Sequence, residues 1–198
     1  PRASRPPAAS PLTRTKLPLP LTLTRLRVAA IPVVLRLFYW PGPYARQAAT
    51  VLYALAAFTD WLDGYLARKW NQTSAFGAFL DPVADKLLVA VSLVMLLRED
   101  PSGELAFLVA IIIGREITVS ALREWMAELG RRASVAVSWI GKWKTAFQMT
   151  AIGMMLWQDS TFGIDWYALG LGLLFIAAAL TLWSMVAYLR SAWPLMRR

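Results

Sequence analysis

The chain has 198 residues, of which 58% are hydrophobic, and its formal net charge is +9. It contains no cysteine and no histidine, which excludes disulfides, thiolate nucleophiles, imidazole bases and the usual zinc sites. The apolar residues form blocks of about twenty, the length needed to cross a hydrocarbon core. Composition therefore predicts one compact membrane domain whose chemistry depends on carboxylates, hydroxyls, cations or a metal with oxygen ligands.

The predicted elements begin with a polar arm over residues 1–20, rich in Pro, Ala, Ser and Arg. This arm lacks the apolar stretch of a signal segment, so we expect it to lie in the cytoplasm, ahead of a catalytic domain over residues 21–198. Six apolar runs follow, and each predicts one membrane-spanning helix. The runs are Leu21–Trp40, Ala48–Leu66, Phe79–Leu97, Leu105–Leu122, Val135–Trp157 and Trp166–Leu189. The expected fold is an all-α integral membrane bundle of six transmembrane helices.

The positive charge is unevenly divided among the breaks between these runs. Arg68 and Lys69 follow the second run and Arg131 and Arg132 follow the fourth, whereas the alternate breaks carry little net positive charge. Since positive residues stay on the cytoplasmic side, both termini are expected in the cytoplasm and the chain in the inner (cytoplasmic) membrane. A basic charge spread over several loops suits anionic lipid head groups and phosphate-bearing substrates, and we expect no nucleic-acid partner.

Four carboxylates flank the break between the second and third runs: Asp60, Asp63, Asp81 and Asp85. Spacings of three and four residues put each pair on one helical face. The short polar link over residues 69–74 predicts an antiparallel hairpin, which brings the two pairs together at the cytoplasmic edge. Such carboxylates repel each other unless cations lie between them. Ligation by oxygen alone favours Mg²⁺ or Mn²⁺, and the pattern predicts a two-metal centre that binds phosphate.

Two other interpretations account for less of this pattern. A position at a helix N-terminus explains Asp81, which precedes Pro82, but it explains one carboxylate of the four. A transporter would place its carboxylates near the bilayer midplane, on broken helices, whereas these are expected at one membrane edge.

Small residues accompany the carboxylates at Gly64, Ala67 and Gly77. They are expected to leave gaps in which a nucleotide or a diphosphate approaches the backbone. The neighbouring Arg68 is a candidate partner for phosphate.

A second group of candidate residues is cationic. Arg115 and Arg123 are eight residues apart and are expected on one helical face, and Lys142 enters from the next helix. Cations beside a metal site predict a place for a second, anionic substrate. Snorkelling to the interface is the alternative, but it suits Arg115 poorly because Arg115 lies inside an apolar run.

The carboxylate segment also resembles a known family signature. It reads Asp60-Trp-Leu-Asp63-Gly64-Tyr-Leu-Ala67-Arg68, eight residues, Gly77, three residues, Asp81, three residues and Asp85. This resembles the complete signature of the CDP-alcohol phosphatidyltransferase family. The resemblance implies a membrane transferase, typically a homodimer, in which Asp60, Asp63 and Asp81 bind two metal ions. It further implies that Asp85 lies at the same metal centre and acts as the base, and that Asp60, Gly64, Ala67, Arg68 and Gly77 form the CDP site.

The cationic segment resembles one branch of that family, through the runs Gly-Arg-Glu-Ile from Gly114, Ser-Ala-Leu-Arg-Glu-Trp from Ser120 and Gly-Lys-Trp-Lys-Thr from Gly141. This implies transfer of a phosphatidyl group from CDP-diacylglycerol to glycerol 3-phosphate, giving phosphatidylglycerophosphate and CMP. Arg115, Arg123 and Lys142 would bind the acceptor phosphate. The same chemistry with another acceptor, such as inositol phosphate, is the alternative. The first run keeps Arg25 of the branch pattern but lacks its two Asn residues.

Overall fold

The structure is a computed structural model that describes residues 19–70, 75–128, 139–161 and 163–196. Within these ranges it leaves out the side chains of residues 19–24, 60, 61, 63–70, 75–82, 139–142, 191, 192 and 194–196. The predicted arm lies outside the described residues, except that its last two residues begin the first helix.

The described part of the chain consists of six helices and the turns between them. They are α1 (Leu19–Phe38), α2 (Ala45–Trp70), α3 (Ala75–Glu99), α4 (Gly103–Glu128), α5 (Trp139–Trp157) and α6 (Trp166–Met196). Each predicted run falls on one helix, so the all-α prediction holds for these residues. Within them, two segments are long and apolar enough to cross a membrane, Gly103–Glu128 in α4 and Trp166–Arg190 in α6. The six membrane spans therefore stay a prediction.

The helix ends follow from local sequence. Ser102 caps α4, because its hydroxyl oxygen accepts a hydrogen bond from the Leu105 N–H at 3.3 Å. Asp165 caps α6 in the same way by accepting from the Ala168 N–H at 3.0 Å. Beyond the end of α5, Gln158 adopts a φ of 58°, the left-handed conformation that often terminates a helix.

The helices pack through stripes of buried side chains that repeat at helical spacing. On α1 the stripe runs through Arg27, Ile31, Val34 and Phe38. The packed pairs are α1 with α2 and α3, α5 with α2, α3 and α6, and α4 with α3 and α6. Among the described glycines, Gly170 marks the closest approach of two helices, α5 and α6. A Cβ on Gly170 would stand 2.8 Å from the Ala151 carbonyl oxygen.

Side-chain contacts tie several elements together at one end of the bundle, which we call the far end. Arg46 at the start of α2 donates to Glu99 at the end of α3, with 2.8 Å between Nη2 and Oε2. Gln47 donates to Asp159 in the α5–α6 turn, and the Tyr167 hydroxyl of α6 donates to Asp100. A cavity of about 390 Å³ is lined by Arg46, Gln47, Glu99 and Asp159 and by the aromatic side chains at and just after the end of α1. The opposite end, the site end, holds the start of α1, the end of α2, the start of α3 and the start of α5.

Candidate active site

The four predicted carboxylates lie on two consecutive helices at the site end. Asp60 and Asp63 belong to the C-terminal half of α2, and Asp81 and Asp85 to the first half of α3. Of these four, the structure describes the side chain of Asp85 alone. The side chains of the other carboxylates and of Arg68, and the surroundings of Gly64, Ala67 and Gly77, lie outside the described residues. Their convergence around a nucleotide or a metal stays a prediction.

Asp85 forms an ion pair with a buried arginine of α1. Its Oδ1 accepts a hydrogen bond from Arg27 Nη1 at 2.6 Å, and the two side chains are 37% and 1% exposed respectively. A guanidinium this deeply buried is stable only when it is paired. The sequence predicts that metal ions balance the charge of the carboxylates. For Asp85, Arg27 supplies part of that balance from within the protein.

The residue after Asp85 connects α3 to α4. Lys86 Nζ donates to the Ser120 hydroxyl, which in turn donates to the Glu116 carbonyl oxygen at 2.6 Å. Asp85 and Lys86 thus engage α1 and α4 from adjacent positions, so the first half of α3 is held on two sides.

The centre of the predicted acceptor site is a largely buried charge cluster on α4 and α5, which also contacts α6. Arg115 on α4 donates through Nη1 to Glu116 Oε1 and through Nη2 to the Ser184 hydroxyl of α6, the latter at 3.3 Å. Lys144 on α5 places its Nζ 3.6 Å from the same Glu116 oxygen. We call Arg115, Glu116 and Lys144 the charge cluster. Its side-chain charges sum to one net positive, which favours an anionic ligand.

The structure also locates the other two predicted cations. Arg123 is exposed at the site end and donates to the Tyr188 hydroxyl of α6 at 2.9 Å. Arg115 and Arg123 therefore both reach α6, as their eight-residue spacing suggests. Lys142 belongs to the first turn of α5, and its side chain lies outside the described residues.

Oxygen donors predominate among the candidate metal ligands, and they suit a hard divalent cation. Among the side chains that the structure describes, no group of three acidic residues is arranged to hold a metal ion. The side chains of Asp60, Asp63 and Asp81 are not among those described. The contact with Arg27 engages one of the two carboxylate oxygens of Asp85, and a carboxylate accepts through both, so the roles of metal ligand and of base both stay predictions.

Three functional candidates were missed from the sequence, and two of them, Arg27 and Lys144, carry a periodic signal. Arg27 lies on the buried stripe of α1, whereas Arg25, the arginine singled out there, is exposed. Lys144 begins the buried stripe that continues through Gln148 on α5. Glu116 adjoins Arg115, and no charge pattern in the sequence distinguishes it from a surface carboxylate.

Comparison with known proteins shows the family of the chain. The CDP-alcohol phosphatidyltransferase family model matches residues 17–187. The chain belongs to that family. The predicted resemblance is therefore confirmed, and with it the expectation of a membrane transferase from a family that generally depends on divalent metal ions.

Curated relatives match most of the chain. A protein of Salmonella choleraesuis (strain SC-B67), named "CDP-diacylglycerol--glycerol-3-phosphate 3-phosphatidyltransferase", is 51% identical over 174 residues, which cover 88% of this chain and 94% of the relative. A protein of the same name from Escherichia coli (strain K12) is 52% identical over the same shares of both chains.

Proposed function

We propose that this chain transfers the phosphatidyl group of CDP-diacylglycerol to glycerol 3-phosphate, releasing CMP and forming phosphatidylglycerophosphate. The observation that carries the proposal is the charge cluster of α4 and α5. Lys86, the residue after Asp85, contacts α4 at Ser120, one helical turn from Glu116. A cationic cluster beside a base suits an acceptor that brings its own phosphate. The predicted reaction also agrees with the names of the relatives.

The donor would bind between α2 and α3. In this proposal Gly64, Ala67 and Gly77 leave room for the CDP moiety, to which Asp60 also contributes, and Arg68 pairs with its phosphates. Asp60, Asp63 and Asp81, with Asp85 beside them, would hold two Mg²⁺ or Mn²⁺ ions. Bound divalent metal would neutralise the diphosphate and stabilise the charge that develops on the leaving CMP.

The acceptor would bind on the other side of α3. Arg115 and Lys144, together with Arg123 and Lys142, would hold the phosphate of glycerol 3-phosphate by charge-assisted hydrogen bonds. Its primary hydroxyl would then face Asp85, whose orientation is maintained by Arg27.

The chemical step exchanges one phosphorus–oxygen bond for another. Asp85 accepts the proton of the primary hydroxyl, and the hydroxyl oxygen bonds to the phosphorus that carries diacylglycerol. The bond from that phosphorus to the oxygen of CMP breaks, and CMP leaves with the electron pair. Positioning by the charge cluster and by the Arg27–Asp85 pair replaces a bimolecular encounter with a bound geometry, which contributes a large share of the rate.

The proposed membrane arrangement has six spanning helices in the inner (cytoplasmic) membrane. Both termini and the site end would face the cytoplasm, where the water-soluble acceptor and CMP enter and leave. A homodimer is proposed from the family resemblance, and light scattering of the detergent-solubilised protein would test it.

The deciding experiment measures CMP release in mixed micelles that contain CDP-diacylglycerol and Mg²⁺. Glycerol 3-phosphate, inositol phosphate, serine and phosphatidylglycerol are offered in turn. Release with glycerol 3-phosphate alone, abolished by a chelator, is expected. Release with inositol phosphate instead would keep the transferase chemistry and overturn the proposed acceptor.

The role of Asp85 is tested with a matched pair of variants. Asp85→Asn is expected to lower turnover by about two to four orders of magnitude, because a general base is lost. Asp159→Asn, the same change at the far end, should leave turnover near normal. Near-normal turnover in Asp85→Asn would remove Asp85 from the reaction.

A further inference from the structure

A carboxylate occupies the middle of a site that is proposed to bind phosphate. Glu116 Oε1 accepts a hydrogen bond from Arg115 Nη1 and lies 3.6 Å from Lys144 Nζ. The Glu116 side chain is 30% exposed. In the part of the chain that the structure describes, no side chain donates a hydrogen bond to the second oxygen, Oε2. One oxygen is thus engaged by cations while the other is open to a ligand.

The chemistry of an open carboxylate oxygen restricts what it binds. An ionised carboxylate accepts hydrogen bonds and donates none. It repels the phosphate of an acceptor, so its ligand must be a donor elsewhere on the same molecule. The cations that would hold the phosphate also fix Oε1, so Oε2 lies close to the phosphate position.

Glycerol 3-phosphate carries a suitable donor in this position. Its attacking hydroxyl is primary and lies at the far end of the molecule from the phosphate. Its second hydroxyl is on C2, next to the carbon that carries the phosphate ester. With the phosphate on Arg115 and Lys144, the C2 hydroxyl is the donor nearest to Glu116.

We propose that Glu116 is a specificity residue that accepts a hydrogen bond from the C2 hydroxyl of the acceptor. This inference rests on the proposed function, and it adds a requirement that phosphate binding alone does not impose. The charge cluster would select phosphorylated alcohols, and Glu116 would select those with a hydroxyl beside the phosphate-bearing carbon. An acceptor without this hydroxyl would, once bound, cover the Glu116 carboxylate without giving it a donor, so such an acceptor is disfavoured.

The test compares glycerol 3-phosphate with 3-hydroxypropyl phosphate, which keeps the primary hydroxyl and the phosphate but lacks the C2 hydroxyl. CMP release gives kcat/KM for each acceptor in the unmodified protein and in Glu116→Gln, Glu116→Ala and Glu124→Gln. Glu124 is exposed on the same helix, so Glu124→Gln is the matched control for loss of one carboxylate charge. Thermal shifts with each acceptor, without CDP-diacylglycerol, provide a readout that does not require turnover.

We expect the unmodified protein and Glu124→Gln to prefer glycerol 3-phosphate by about ten- to a hundred-fold, the usual effect of a hydrogen bond to a charged group. In Glu116→Ala the preference should fall to near unity, and in Glu116→Gln to an intermediate value. The thermal shifts of the unmodified protein should be larger with glycerol 3-phosphate.

Several results would overturn the inference. Equal use of both acceptors by the unmodified protein would do so without any variant. An unchanged preference in both Glu116 variants would make Glu116 a counter-ion of the cations. If both Glu116 variants had a lower KM than the unmodified protein for both acceptors alike, Glu116 would only repel phosphate and would not distinguish the acceptors. Absence of CMP release with either acceptor in the unmodified protein would instead remove the proposed function itself.

Discussion

At the scale of single residues, the bundle buries charged side chains and pairs each with an opposite charge. Arg27 pairs with Asp85, and Arg115 and Lys144 share Glu116. Because buried ion pairs contribute little net stability, their presence in an apolar bundle indicates function.

Loss of the Arg27 charge should impair turnover more than folding. Arg27→Met removes the group that orients Asp85 and is expected to lower CMP release by about ten- to a hundred-fold. Arg27→Lys should restore part of the rate, since it keeps a cation at the pair. Arg36→Met, an exposed arginine further along the same helix, is the control, and full activity of Arg27→Met would contradict the positioning role.

Loss of Lys144 should affect one substrate and not the other. Lys144→Met is expected to raise KM for glycerol 3-phosphate by about ten-fold or more, because a charge-assisted contact to phosphate is lost. KM for CDP-diacylglycerol should hardly change. Arg98→Met at the far end removes one positive charge away from the site and should change neither value.

The candidate site could be predicted in part at this scale. Arg115 was singled out because a charge inside an apolar run requires a partner, and it has one in Glu116. The four carboxylates were singled out because their spacing has few structural explanations, and their convergence stays a prediction. The Arg27–Asp85 pair joins residues 58 apart in the chain. No local pattern fixes such a pairing, since it depends on the packing of α1 against α3.

At the scale of elements, the apolar runs locate the helices but underestimate the length of several of them. α2 continues to Trp70, α4 to Glu128 and α6 to Met196, each beyond the end of its run. Apolar character ends where the membrane is expected to end, whereas backbone hydrogen bonding continues into the aqueous boundary. Hydrophobicity therefore predicts the span, and the helix includes several further residues.

The contact between α5 and α6 offers a direct test of packing. A Cβ on Gly170 would lie 2.8 Å from both the Ala151 carbonyl oxygen and Met155 Cγ, so Gly170→Ala should destabilise the protein by about 1–3 kcal/mol. Gly172, on the same helix, has nothing within 4 Å of such an atom. Gly172→Ala should therefore be neutral or stabilising by up to about 1 kcal/mol. Thermal unfolding in detergent measures both, and equal stability of the two variants would contradict this packing.

At the scale of the whole molecule, the absence of cysteine makes the proposed orientation directly measurable. Each introduced cysteine is the single thiol of the chain. Tyr44→Cys at the far end, where Tyr44 is 77% exposed, should react with an impermeant maleimide in intact spheroplasts. Glu128→Cys at the site end should react only after the membrane is permeabilised. Labelling of Glu128→Cys but not of Tyr44→Cys in intact spheroplasts would show that the orientation is the reverse of the proposed one.

The far-end contacts have a consequence for the membrane barrier. At the far end, opposite the proposed site, three contacts hold the helices together: Arg46–Glu99, Gln47–Asp159 and Tyr167–Asp100. Separation of the helices to admit a lipid would then occur at the site end, with the far end acting as its hinge. The buried charges would become hydrated from one compartment only, and no continuous water path would cross the bilayer. The enzyme could therefore exchange substrates in every catalytic cycle without dissipating the ion gradients of the cell.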